Sequence, residues 1–224
     1  MSSPAAALAD DAKAIVAALP AALRSVRARL PLVVAGGAVL TGTLAALTDA
    51  WWATRSDMPF GAASIPWAKA FSRYGEIHGI PLVFAVVLWT TGYCRSRADW
   101  RRAALAALMA AAAAGLAAAC LKGLIGRARP EVGEAWRLVG PVLKSTFQSF
   151  PSGHTTHSVG FTAALLLLDR RIGLVSLVLT AGVIWARLAL HKHYFSDIAG
   201  GATLGLLGAL VFAAAAKRGA SSRP

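Results

Sequence analysis

Three short blocks of this chain hold side chains that could do chemistry together. They are Lys122 with Arg129-Pro130, the run Pro151-Ser152-Gly153-His154, and Arg187 with His193 and Asp197. Lys122, Arg129 and Arg187 are cations. Three cations meeting at one point suit an anion of high charge density, phosphate above all. His154 and His193 beside it would supply a proton donor and a nucleophile. Ionisable groups are costly near a bilayer and mark function there.

Each spacing has its own physical reading. Lys122 and Arg129 would share a helix face if the helix ran on, and Arg129-Pro130 is expected to end it. Alone, the two could be interfacial cations reaching for water. Ser152-Gly153-His154 precedes an apolar run, so it is expected to open a helix. Its amides and dipole would then face an anion, with Gly153 allowing close approach and Ser152 adding a hydroxyl. The plainer reading is a serine helix cap. His193 and Asp197 are four apart and would face each other on a helix. A carboxylate on one imidazole nitrogen fixes the tautomer and frees the other nitrogen to attack. His191 and Lys192 read as solvated neighbours, and His78 and His157 as packing residues.

The elements that must carry these blocks are apolar helices. The 224 residues are 57% hydrophobic and 15% charged. Uncharged runs lie at Leu30–Thr48, Ile77–Cys94, Ala103–Leu121, Ser145–Leu168, Ile172–Ala186 and Ile198–Ala216. A spanning helix takes roughly 20 residues. The expectation is an all-α integral membrane bundle of six transmembrane helices. The fourth starts near His154 and the fifth extends across Arg187. Residues 30–216 would form the membrane domain, residues 1–29 an amphipathic N-terminal segment at the cytoplasmic surface, and residues 217–224 a cytoplasmic tail. Asp10, Asp11 and Lys13 break the first apolar stretch, which argues against a secretory leader.

Basic residues set the orientation. Arg95, Arg97, Arg101, Arg102, Arg170, Arg171, Lys217, Arg218 and Arg223 fall on the richer side, in short connectors and at the C-terminus, which places both termini in the cytoplasm. Lys122, His154, Arg187 and Asp197 then all fall at the outer face by counting spans. Trp51, Trp52, Trp100 and Trp185 near span ends read as interfacial anchors. Pro66–Gly79 reads as a short interfacial helix, and Gly201 with Gly205 as a close packing surface within the chain. The net charge of +13 does not indicate nucleic acid, because the basic residues are spread among loops with no binding motif. Cys94 and Cys120 sit in apolar runs without a Cys-x-x-Cys pattern and read as buried packing residues.

Taken together, the blocks run Lys, six residues, Arg-Pro; Pro-Ser-Gly-His; then Arg, five residues, His, three residues, Asp. This resembles the three-part signature of the type-2 phosphatidic acid phosphatase superfamily, over residues 122–197. Ala186 stands where many members have serine. The resemblance implies a phosphohistidine at His193 oriented by Asp197, and a leaving oxygen protonated by His154. It assigns the phosphoryl oxygens to Lys122, Arg129, Arg187, Ser152 and Gly153. It implies no cofactor or metal, since fixed cations replace one. The substrate would be a lipid phosphate or diphosphate: undecaprenyl diphosphate, phosphatidylglycerophosphate, phosphatidic acid or lipid A phosphate. Hydrolysis would occur at the outer face of a bacterial inner membrane. The Glu131–Phe150 loop, with Trp136, Phe147 and Phe150, is expected to help select among them. A lipid phosphotransferase with the same intermediate and a non-enzymatic lipid-binding protein stay open. A soluble vanadium haloperoxidase conflicts with the apolar spans.

Overall fold

Ser3 begins the first helix, with its hydroxyl accepting from the Ala6 amide at 3.2 Å and Pro4 fixing the first turn. The computed structural model describes residues 3–55 and 60–221. Arg223, the other tail residues past 221 and the first two residues of the N-terminal segment lie outside them. Nine α-helices follow among the described residues: α1 Pro4–Val26, α2 Leu30–Leu44, α3 Ala50–Ala53, α4 Ile65–Tyr74, α5 Ile80–Cys94, α6 Ala98–Ile125, α7 Gly153–Leu168, α8 Arg170–Ala189 and α9 Phe195–Ser221. A π-helical turn, Ala45–Asp49, joins α2 to α3. They therefore form one apolar rod, Leu30–Ala53. Among these residues there is no named strand, only an isolated bridge between Arg127 and Leu138.

The rod of α2 and α3, together with α6, α8 and α9, is long and apolar enough to cross a membrane. Helix α5 is apolar but shorter, at 15 residues. Helix α7 has 16 residues and carries polar ones. It packs against α6, α8 and α9. Thr155, Thr156, Ser158 and Thr162 on it are buried. Thr162 and Thr180 hydroxyls bond across α7 and α8 at 2.8 Å, and the Ser176 hydroxyl donates to Thr162 at 2.9 Å. Thr162 is thus satisfied by α8, and Thr155 and Thr156 by Ser152, while the Ser158 hydroxyl has no partner among the described residues.

Small residues let these helices close up. Ala103, Ala104, Ala107, Ala110 and Ala111 of α6 meet Phe161, Ala164 and Leu165 of α7 and Ala209 of α9. Gly201 and Gly205 do pack within the chain. A Cβ at Gly201 would lie 2.6 Å from the Ser152 carbonyl oxygen, and one at Gly205 would lie 2.7 Å from the Gly160 amide. Both neighbours are backbone and cannot swing aside. Gly205→Val is therefore expected to separate α9 from α7, costing about 1–3 kcal/mol or more. A thermal melt of the detergent-solubilised protein checks this, and an unchanged midpoint would contradict it.

Helix α1 lies within the N-terminal segment expected over residues 1–29. It packs on α9 and α6. Asp11, fully buried, meets Arg101 at 2.7 Å and Arg102 at 3.5 Å. The short helix expected over Pro66–Gly79 forms as α4 and packs on α8. Trp52 is not an interfacial anchor. It is buried, with the Phe195 ring 5.0 Å away and the His191 ring 5.3 Å away. Cys94 and Cys120 are exposed rather than buried, because they fall on outward helix faces.

Candidate active site

The first block is built by a helix end. Helix α6 stops at Ile125, earlier than Arg129-Pro130, because Gly126 turns left-handed at φ 63° and caps it through its amide to the Lys122 carbonyl. A side chain at Gly126 would collide with the Gly140 carbonyl at 2.1 Å. The chain doubles back here, so Arg129 reaches the site from a loop and not along the helix. The Arg129 amide donates to Thr146 O at 2.9 Å, and the Ser149 amide to Arg127 O at 3.0 Å. The Lys122 ammonium donates to Gln148 O at 2.9 Å.

The second block does open a helix, α7, at Gly153. Its backbone is tied to the third block, since the Ser152 amide donates to Asp197 O at 3.0 Å. The Ser152 hydroxyl does not cap the helix. It accepts from Thr155 Oγ1 at 3.0 Å, and its own proton is left to donate elsewhere. A Cβ on Gly153 would stand 3.5 Å from Lys122 Cε, so the first and second blocks touch there.

In the third block, Arg187 sits in the last turn of α8, buried, and donates to Ser72 Oγ at 2.6 Å. His193 precedes α9 and does not share a helix with Asp197. The pair still meets, with Nδ1 of His193 3.4 Å from Asp197 Oδ2. The Tyr194 amide donates to that same oxygen at 2.9 Å and folds the chain back over the first turn. At 3.4 Å the pair is electrostatic more than a formed hydrogen bond.

The three cations share one neighbourhood. Lys122 lies within electrostatic reach of Arg129, Arg187 and Asp197, and Arg187 within reach of Arg129. Arg129 Nε and Arg187 Nε are buried with no hydrogen-bond partner among the described residues. Buried guanidinium donors without acceptors are expensive, and an anion satisfies both at once. Burial lowers the pKa of Arg129, while Glu131 and Asp197 oppose the shift. Burial also pushes His193 down to about 3, against the pull of Asp197, so its ring is neutral near pH 7. The described residues hold no cluster of three metal-ligating side chains. Cations and neutral donors line the site, a set that suits an anion.

The structure adds residues that the blocks did not reveal. Glu76, between α4 and α5, pairs with His154 Nε2 at 2.8 Å and with His78 Nε2 at 3.1 Å. His78 is thus an exposed partner of Glu76 and no packing residue. His157 does pack, with Nδ1 3.0 Å from Ala111 O. Two residues read as solvated have partners: His191 Nε2 meets Trp52 O at 2.9 Å, and Lys192 pairs with Glu131. Arg127 is buried between Asp49 and Asp197, at 2.7 Å from each.

A sequence profile of the PAP2 superfamily matches residues 103–219, a stretch that contains all three blocks. The chain belongs to the PAP2 superfamily. Among PAP2 relatives, the decaprenylphosphoryl-5-phosphoribose phosphatase of Mycobacterium tuberculosis (strain ATCC 25618 / H37Rv) is 35% identical over 146 residues, 64% of this chain and 76% of that protein. The lipid A 1-phosphatase of Rhizobium johnstonii is 38% identical over 106 residues, 44% of this chain and 43% of that protein. That of Rhizobium etli is 36% identical over 106 residues, covering 46% of its length. The match therefore spans less than half of either lipid A 1-phosphatase. No solved structure matches. The relatives are phosphatases by name, and this PAP2 chain is an enzyme of that class.

Proposed function

We propose that this PAP2 enzyme hydrolyses a phosphate or diphosphate group from a membrane lipid through a phosphohistidine. The observation that carries the reading is a cationic cage abutting an apolar groove. The groove, about 450 Å³, is lined by Val34, Ala38 and Thr41 of α2, by Leu121 and by Phe150-Pro151. Leu121 is next to Lys122, and Pro151 is next to Ser152. A hydrocarbon tail in the groove would hold its phosphate at the cage. Phe150 lines the groove, which gives the Glu131–Phe150 loop a means of selecting the tail.

In this mechanism Nδ1–H of His193 faces Asp197, and Nε2 attacks phosphorus. The P–O bond to the lipid oxygen breaks, and His154 gives that oxygen its proton. Lys122, Arg129, Arg187, Ser152 and the Gly153 amide hold the equatorial oxygens as their charge grows. Water then attacks phosphorus, His154 takes its proton, and the P–N bond breaks to release phosphate. No step calls for a metal. The spread of basic residues supports six spans, with α5 and α7 completing the set, both termini cytoplasmic and the cage at the outer face of the inner membrane.

The relatives' names point to polyprenyl-phosphoryl and lipid A substrates. The test is phosphate release in detergent with EDTA from decaprenylphosphoryl-5-phosphoribose, lipid A 1-phosphate, undecaprenyl diphosphate, phosphatidylglycerophosphate and phosphatidic acid. Release from at least one is expected. No release from any, or release abolished by EDTA, would contradict the reading.

Glu76 supports the acid. Its carboxylate lies 2.8 Å from His154 Nε2 and orients the ring, so Glu76→Gln is expected to slow turnover of an alkyl phosphate by about tenfold, below the roughly 10²–10⁴-fold of a general acid itself. The loss should shrink with p-nitrophenyl phosphate, whose leaving group needs no proton. Equal losses on both would remove Glu76 from proton transfer.

A further inference from the structure

Behind the nucleophile lies a buried ionic network that the mechanism above does not use. Arg127, Asp49 and Ser196 are all buried. Every N–H of Arg127 is spent. Its Nη1 donates to Asp197 Oδ1 and to Ser196 Oγ, each at 2.7 Å. Its Nη2 donates to Asp49 Oδ2 at 2.7 Å and Ala135 O at 3.0 Å, and its Nε to Ala135 O at 3.2 Å. The Ser196 hydroxyl donates to Asp49 Oδ2. The Tyr194 ring covers the guanidinium, with its centroid 4.4 Å away.

This arrangement fixes both oxygens of Asp197. Oδ1 is held by Arg127. Oδ2 accepts from Ser149 Oγ at 2.5 Å and from the Tyr194 amide at 2.9 Å, and is the oxygen that faces His193. The carboxylate cannot rotate without breaking several buried bonds. Charge matters as much as geometry. A guanidinium bonded to Asp197 alone would neutralise the carboxylate that the imidazole needs. Asp49 shares the guanidinium, so the three groups sum to one negative charge. That surplus offsets the positive charge a phosphorylated or protonated imidazole acquires.

We infer that Asp49 is a positioning residue for phosphoryl transfer, acting through Arg127 to lock Asp197 against His193 and to keep its negative charge available to the ring. The inference rests on the phosphohistidine reading. A merely structural role, tying the α2–α3 rod to the loop after α6, would disturb stability and binding instead of the chemical step.

The experiment compares the native chain with Asp49→Asn and the milder Ser196→Ala, on whichever lipid of the panel above is turned over fastest. Product inhibition by inorganic phosphate reports on the cage. The expected result is a kcat lowered about 10–100-fold in Asp49→Asn. Ser196→Ala should show a smaller fall, and KM and phosphate inhibition should be unchanged in both. An Asp49→Asn enzyme with native kcat overturns the inference, as does one whose kcat, KM and phosphate inhibition weaken in step. If Asp49→Asn does not fold, Ser196→Ala decides by the same criteria. A native chain that releases phosphate from no lipid sinks the phosphohistidine reading itself, which separates the two failures.

Discussion

His193→Gln is expected to release phosphate at least about 10⁴-fold more slowly than the native chain, on every lipid it accepts. Glutamine approximates the imidazole's size and polarity, so the buried site beside Asp197 stays filled. What is lost is the nitrogen that bonds to phosphorus. The three cations and Ser152 remain, so inorganic phosphate should still bind. A brief acid-free quench of the native enzyme with labelled substrate should show a phosphoenzyme stable to alkali and labile to acid, as a P–N bond is. The variant should show none. A variant retaining most of the native rate, or a labelled phosphoenzyme in both, would move the nucleophile to another residue.

Arg127→Met should be the most destabilising single change at the site. It leaves Asp49 and Asp197 buried and facing each other without the cation between them. Breaking a buried pair by removing one partner costs about 3–5 kcal/mol. Here one cation serves two carboxylates. Thermal melts in detergent measure the effect. Adding Asp49→Asn to Arg127→Met should recover part of the loss, because one of the two stranded charges is gone. Additive losses in the double variant would mean that the three groups do not act as a unit.

The sequence carried the parts of this site that depend on spacing within a block. Lys122, Gly153 and Arg187 fall at helix ends because the apolar runs stop there, and the packing of α6, α7 and α8 brings those ends together. Places where a local signal competed with a stronger one were misread. Proline at 130 outweighed Gly126, although a glycine in the left-handed turn is what ends α6. The four-residue step from His193 to Asp197 reads as helical, yet a hydrogen bond from the Tyr194 amide produces it just ahead of the helix. Long-range partners were not legible. Arg127 and Asp49 are 78 residues apart, and nothing near either names the other. A lone carboxylate at the end of an apolar run was the available hint for Asp49. Glu76, the one acid between α4 and α5, was the hint for the partner of His154.

The glycine seam between α7 and α9 has a consequence for how such an enzyme can change over generations. Ser152, His154 and Asp197 ride on two helices whose backbones touch, so a substitution at that seam shifts all three together and is punished. Ser72 and Glu76 are carried on α4 and its following turn, which lean on α8. The loop around Phe150 is separate again. Drift in that loop can therefore reshape the groove while the reacting groups keep their places, whereas Ser72 and Glu76 tie α4 and its turn to Arg187 and His154. The molecule divides into a part that evolution can tune and a part that it must leave alone.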